Sequence, residues 1–388
     1  MKNFTLLRSW YSFALFPLCL FIFSVGCRKI SIDKDDLRNF QQVNLVASSS
    51  SFSPVLTDGT LLNAWGLAWS PTRIAWVNSH DGHVSELYTE AGAIVRPPVH
   101  IPSPTDTIGG LPTGIVFSGG AGFTLANKQG SLFLFAGEDG VLSGWNGAAG
   151  NNAFRIADNS ARAHYTGLAL TTNNGSHLLY AANFKSGKID VWDTTFTAVS
   201  LPFHDPFLPS GYAPFNIQAV GSWLFVAYAK VGPDGDEQAG AGLGFVDIFK
   251  PDGSFLTRFA SKGALNAPWG ITMTPANFLD EHDMTDEDGH AKDDGHGESK
   301  DKSEWKNKDE NQPVILIGNF GDGRINVYSM QGQFLGQLQS NKHVIVIEKL
   351  WALSFAPVTA TNTDQSRLYF TAGPNDENDG LFGYLIRN

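Results

Sequence analysis

Apolar positions recur along the chain with period two, in short runs separated by turns rich in Gly, Asn and Asp. Alternation bounded by such turns predicts β-strands joined by hairpins. One phrase returns six times, as "NAWGLAWS", "LPTGIVFS", "HYTGLALT", "APFNIQAV", "APWGITMT" and "LWALSFAP". Each places a small or aromatic residue, usually Gly, before alternating apolar positions. The central residues are Gly66, Gly114, Gly167, Asn216, Gly270 and Ala352, at successive gaps of 48, 53, 49, 54 and 82 residues. The last gap shrinks to the common spacing once an acid-rich stretch at 280–312 is set aside, so the chain reads as one repeated unit.

After each phrase come a turn, a second apolar run, a polar Gly-containing turn and a third run, as in "RIAWVNSHDGHVSELY", "HLLYAANFKSGKIDVWD" and "VILIGNFGDGRINVYS". A weaker fourth run follows in most units ("AIVRPPVHI", "NAFRIAD", "SFLTRFA", "QFLGQLQ"). Each unit is expected to be a four-stranded antiparallel sheet, and six of them predict an all-β, six-bladed β-propeller. The sixth unit ends at its third run, "DGLFGYLIRN", without a fourth. The N-terminal "FQQVNLVAS" at 40–48 is predicted to supply it by pairing with the last blade, which would hide two edges that otherwise invite aggregation. Residues 39–388 are then a single propeller domain and 27–38 a linker.

The phrases "GLAWSPTRIAWVNSHDGHVSELY" and "GITMTP" with "VILIGNFGDGRINVYSMQGQFL" resemble the NHL-type repeat. The mature chain, with its "WGLA" opening and the "DGVLSGWN" phrase at 139–146, is similar to a family of exported bacterial propeller proteins. The resemblance implies the fold and transfers no catalytic residue.

Composition is that of a water-soluble globular protein, 42% hydrophobic and 17% charged, with 41 Gly and 28 Phe. Lys2 and Arg8 precede the apolar core "WYSFALFPLCLFIFSVG". That core is short and interrupted by Pro17, so residues 1–26 read as an export signal, not a spanning helix. "SVGC" resembles the lipobox of bacterial lipoproteins, although Ser24 departs from the usual aliphatic residue. Cys27 is therefore the expected lipidation site, with an ordinary signal peptide cut nearby as the alternative. The expected location is the bacterial cell envelope, with a lipid-anchored chain facing the periplasm or the cell surface. Cys19 and Cys27 are the only cysteines, so the mature domain is expected to fold without an internal disulfide.

The formal charge of −11 is uneven, since residues 280–310 alone hold 13 Asp or Glu against 5 Lys. The remainder is near neutral and has no basic footprint for nucleic acid. Within the acid-rich stretch an EF-hand register fails at Met284 and Gly295. His282, His290 and His296 lack the paired spacing of a zinc site. Dense charge with little apolar surface predicts a disordered, solvated insertion between the first two strands of the fifth unit, with weak divalent-cation binding as the alternative.

In a propeller the second-to-third and the outer-to-inner links share one face, the expected ligand face. Asn63, Trp65, Thr113, Thr166, Asn216, Asn266, Trp269 and Trp351 would open the inner strands there. Hairpin turns add His80, Asp81, His83, Glu138, Asp139, Lys185 and Asp322. Two longer turns at 232–242 and 373–380 offer an acidic rim of Asp234, Asp236, Glu237, Asp376, Glu377 and Asp379. Such residues suit a polar pocket for a sugar, peptide or cation; the alternative is that Gly, Asn and Asp simply form turns.

Neither G-x-S-x-G nor H-E-x-x-H occurs, and no Ser, His and Asp set is localised. Six-bladed lactonases hold a catalytic metal through carboxylates and Asn at inner-strand ends. Here Asn63, Asn216 and Asn266 are available without a carboxylate beside them, while His164 or the pair His204 and Asp205 could act as acid–base groups. The expectation is a non-enzymatic binding module for a protein, peptide or glycan, touching membrane only through its lipid. A metal-assisted hydrolase or lactonase and a structural spacer in a cell-surface assembly are the alternatives. No cofactor is expected beyond a possible divalent cation.

Overall fold

Six antiparallel sheets follow one another along the chain and pack through their faces around a common centre in the computed structural model. It describes residues 34–120, 122–276, 278–279, 312–358 and 366–387. Contacts divide the chain into Met1–Ser31 and Ile32–Asn388, and the propeller belongs to the second unit. The expected export signal, Cys27 and the acid-rich residues 280–311 lie outside the described residues.

The fold is a six-bladed β-propeller. Its inner strands are Ala64–Trp69, Pro112–Phe117, Tyr165–Asn173, Tyr212–Val220, Pro268–Met273 and Leu350–Ser354. All six carry a register shift against the second strand of their blade, inside the repeated phrase. The phrase thus encodes a bulge that bends each inner strand at the same level. Its glycines meet a second demand. A Cβ on Gly66 would collide with the carbonyl of Thr113, one on Gly114 with the backbone of Leu168, and one on Gly270 with the carbonyl of Trp351. Neighbouring inner strands approach too closely there for any side chain.

Four blades run directly through four strands. The sixth is completed from the other end of the chain, because Phe40–Ala47 pairs antiparallel with Leu381–Arg387, as the sequence predicts. The third has three strands, Tyr165–Asn173, Ser176–Asn183 and Lys188–Trp192. Beyond a tight turn from Asp193 to Thr197 its outer run, among the described residues, joins the ladder only where Trp192 pairs with Ala198 and Val199 N–H donates to Val191 O at 2.8 Å. Pro202, Pro206 and Pro209 follow, and proline cannot donate to a ladder.

The core lies between blades. Six buried apolar clusters fill the spaces between successive blades, among them Trp76, Phe133 and Trp145 between the first and second. A seventh sits at the centre and is almost wholly aromatic and Ala. The acid-rich stretch joins Pro268–Met273 to Ile315–Asn319, the first and second strands of the fifth blade. Its root is packed, since Phe278 meets Phe40 at 5.4 Å and Phe355 at 5.0 Å between ring centroids.

Candidate functional site

The inner-strand residues singled out from sequence, Asn63, Trp65, Thr113, Thr166, Asn216, Asn266, Trp269 and Trp351, are all buried. Most hand a hydrogen bond to another blade. Thr113 Oγ1 donates to Tyr165 O at 2.6 Å. Asn216 Nδ2 donates to Trp269 O at 2.7 Å, and Trp269 Nε1 reaches Thr166 O at 2.8 Å. Trp351 Nε1 donates to Asn63 Oδ1 at 2.8 Å, and Thr371 Oγ1 donates to Trp65 O. Gly240 N–H donates to Asn266 Oδ1 at 2.6 Å. The oxygens that Asn63, Asn216 and Asn266 would offer a metal thus already accept protein donors. Among the described residues no group of three or more His, Cys, Asp or Glu side chains is placed to hold a metal ion.

The tryptophans close the channel. Trp351 stacks on Trp65 with centroids 3.6 Å apart and meets Phe320 at 4.2 Å, with Phe215 and Trp269 each at 5.8 Å. Just beyond them along the inner strands the channel narrows to a cavity of about 40 Å³, barely more than one water's share of liquid volume, before widening to about 280 Å³ beside Trp69 and Phe117. An organic ligand on this face must therefore be met above the aromatic floor.

Charged groups gather there. His80, in the turn after Ala75–Ser79, has both ring nitrogens on carboxylates: Nδ1 lies 3.0 Å from Asp81 and Nε2 2.9 Å from Glu138. Burial alone would lower the imidazole pKa, but those two hydrogen bonds and charges outweigh it and push it up to about 9. Burial opposes ionisation of Glu138 and Asp81 as well, yet His80 holds both below their ordinary range. The imidazole is then a fixed cation at neutral pH and a poor proton acceptor.

Across the mouth, Lys349 lies 3.6 Å from Glu377 and 3.7 Å from Asp376, with its Nζ 4.4 Å above the Phe320 ring. Asn63 Nδ2 donates to Glu377 at 3.1 Å. Asn375, Asp376 and Glu377 all take left-handed backbone, with φ of 58°, 53° and 68°. Three such residues in succession, none of them Gly, is strain of the kind that clusters at functional sites. Half-buried Glu237 has its pKa raised to about 8, first by burial and then by the charge of Glu377, with Lys349 opposing. Burial also raises Glu377. Asp236 is raised by burial and by the charges of Glu138 and Asp234. Carboxyls from four blades thus share one crater.

The remaining rim candidates act locally. Asp234 Oδ1 accepts the N–H of Asp236 at 3.3 Å. Asp379 Oδ1 accepts from Ser48 Oγ at 2.7 Å, tying the closing strand to the rim. Asp205 is buried against Arg258, which also binds Asp247, so it braces the fourth blade. His164 lies within electrostatic reach of Glu138 and Asp236. The sequence pattern does not single out Lys349 and marks Glu138 only as one turn residue among several. Lys349 immediately precedes the inner strand Leu350–Ser354 in an outer-to-inner link, and that position is the one signal of its place on this face.

No protein-family model matches the chain. It is 29% identical over 369 residues, 89% of this chain and 86% of the relative, to "Uncharacterized protein L690" of Acanthamoeba polyphaga mimivirus. It is 27% identical over 363 residues, 89% of this chain and 80% of the relative, to "Uncharacterized protein R648" of the same virus. Among solved structures, a streptogramin B lyase aligns with a TM-score of 0.47 at 12% identity, over 90% of this chain and 97% of that one. A gluconolactonase from Xanthomonas campestris aligns with a TM-score of 0.46 at 12% identity, over 84% and 86%. Neither likeness bears on activity.

Proposed function

We propose that the protein is an exported, lipid-tethered binding module whose crater takes an ammonium or guanidinium group presented by a protein, peptide or glycan. The observation that carries this reading is the crowding of Glu138, Asp236, Glu237 and Glu377 around one mouth, where His80 and Lys349 are the cations held at the carboxyls. Glu237 stays protonated near neutral pH because burial disfavours its charged form and the charges of Glu377 and Asp236 add to that penalty. A cation entering the crater supplies the missing charge, favours the ionised form of Glu237 and displaces its proton.

Calorimetry with a tetralysine peptide and with a chitosan oligomer, each beside its N-acetylated form, tests the reading. Binding of the cationic forms should release protons, read as a dependence of the heat on buffer ionisation enthalpy, and should weaken in Glu237→Gln. Equal binding of the acetylated forms, or none by either cationic probe, would sink it. The tether is tested separately, by labelling with a radioactive fatty acid and asking whether Cys27→Ser loses the label.

One observation favours a hydrolase instead. Glu237 is held protonated while Glu138 is held ionised in the same crater, and carboxyls pushed apart in this way can divide acid and base roles. Turnover of a lactone or ester panel that Glu237→Gln and Glu138→Gln both abolish would establish that reading.

A further inference from the structure

The outer edge of the third blade offers a second site, independent of the crater. Elsewhere the third strand of each blade is covered by a fourth: Val99–His100, Phe154–Asp158, Phe255–Ser261, Phe334–Gln337 and, by ring closure, Phe40–Ala47. Beside Lys188–Trp192 the outer run leaves the sheet after Val199 and opens a groove of about 710 Å³.

The hydrogen bonds fix what this edge presents. Val191 O accepts from Val199 N–H, and Asp193 N–H donates to Thr197 O, so odd-numbered residues turn their backbone groups outward. By the period of a strand, the N–H and C=O of Ile189 also point into the groove. Neither has a hydrogen-bond partner among the described residues. Next to them the groove is both apolar and basic. Ile189, Trp192 and Leu201 form its wall, and Arg162 and Lys188 stand at its rim. Its single carboxylate, Asp190, already accepts from Tyr165 OH at 3.0 Å and Asn183 Nδ2 at 2.9 Å. On a chain of net charge −11 this is a locally cationic strip. Phe207, 76% exposed, lies in the link that follows the groove.

We infer that this edge receives an extended, acidic segment of a partner polypeptide, which adds as the fourth strand the blade lacks. Its backbone pairs with Ile189, its apolar side chains lie on the wall of the groove, and its carboxylates meet Lys188 and Arg162. Main-chain bonds give such strand addition its affinity, and alternate side chains give it specificity.

The test uses the folded chain from residue 28 and the peptide acetyl-Glu-Val-Glu-Val-Glu-amide, followed by backbone amide shifts of Lys188–Trp192 and by tryptophan fluorescence. The expected result is saturable binding, weakened roughly tenfold or more when the central peptide nitrogens are methylated. The Lys-Val-Lys-Val-Lys peptide should bind at least roughly tenfold more weakly than the acidic one. Ile189→Pro removes the outward N–H, a change an edge strand tolerates, together with the isoleucine side chain on the wall; it should abolish binding while the melting temperature stays within a few degrees, whereas Ile189→Val, which keeps the N–H, should bind within a few-fold of the parent. Should that variant fail to fold, the methylated peptide and Lys188→Glu decide the matter. Equal binding of basic and acidic peptides, or indifference to methylation, overturns the inference. Concentration-dependent dimerisation that blocks the groove overturns it too, by assigning the edge to a second copy of the chain.

Discussion

His80 Nε2 stands 2.9 Å from Glu138 Oε2 across the boundary between the first and second blades, while Asp81 holds the other ring nitrogen at 3.0 Å. A neutral imidazole can donate from only one nitrogen, so two carboxylate partners require the charged form. Glu138→Gln should bring the His80 titration, followed by its ring proton shifts, down from about 9 toward the ordinary value. The folded pKa lies above the unfolded one. The stability this contributes is therefore fully present below about pH 6.5 and fades as pH rises through about 9. The variant should lose stability at pH 6 and show a flatter decline from pH 7 to 9. A His80 titration unmoved by the substitution would refute the dyad.

Thr60 Oγ1 lies 2.6 Å from both Asp58 Oδ1 and Glu86 Oε1, and the Thr60 N–H also reaches Asp58 Oδ1 at 3.1 Å. One hydroxyl carries one proton, so Thr60 Oγ1 can donate to only one of the two carboxyls at a time, and a protonated Glu86 can take the donor's part towards it. Consistent with this, burial, with the charge of Asp58, pushes Glu86 up to about 7 against the Thr60 hydrogen bond. The sign is that of a raised acid: its stability is full below about pH 4.5 and falls as pH climbs to about 7. Glu86→Gln keeps the donor without the charge. It should match the parent at pH 4.5 and exceed it at pH 8 by up to about 3 kcal/mol in denaturant titrations. Equal stability at pH 8 would mean that Glu86 is ionised without cost.

The ring, its closure and the place of the acid-rich stretch were legible because each is written in period and order. Gly66, Gly114, Gly167 and Gly270 mark where inner strands converge, and a six-fold count admits few architectures. The site was legible only by face. Asn63, Trp269 and Trp351 look like pocket residues in a sequence, yet they spend their polar atoms on other blades. No one-dimensional pattern says whether an Asn at a strand start faces ligand or the next strand. Lys349 and Glu377 are close because two links of the sixth blade share a face, which period alone does not express. The thin third blade was hidden as well, since apolar Leu201 and Phe203 pack against the blade without continuing the ladder beyond Val199.

Gly114 should be among the least replaceable positions. Its missing Cβ would collide with the N–H and Cβ of Leu168 in the next blade. Backbone in a ring has no free direction in which to yield, so Gly114→Ala is expected to cost about 1–3 kcal/mol, or more if the bulge is lost. Gly59, where a Cβ would meet nothing within 4 Å, is the control: Gly59→Ala should change the midpoint of urea unfolding little. Equal effects at the two sites would show that close approach is not what the repeat's glycine serves.

Closure by the N-terminal strand makes the first residues of the domain as important as its centre. Phe40, Leu45, Val46 and Ala47 are each no more than 3% exposed. The strand pairs along Leu381–Arg387, and Arg387 is further held by Asp35 O and Leu279 O. Burying Phe, Leu and Val side chains is worth about 1.5–3 kcal/mol each, so their loss is comparable with a domain's whole stability of about 5–15 kcal/mol. Phe40→Ala alone should cost about 3–5 kcal/mol. A chain begun at residue 49 should melt far lower and associate through the bare edge of Leu381–Arg387, which light scattering would detect. A synthetic peptide of residues 38–49 added in trans should restore both the melting temperature and the monomer. If the truncated chain remains monomeric and melts like the parent, the ring is held by its inter-blade clusters alone, and the paired termini are ornament, not latch.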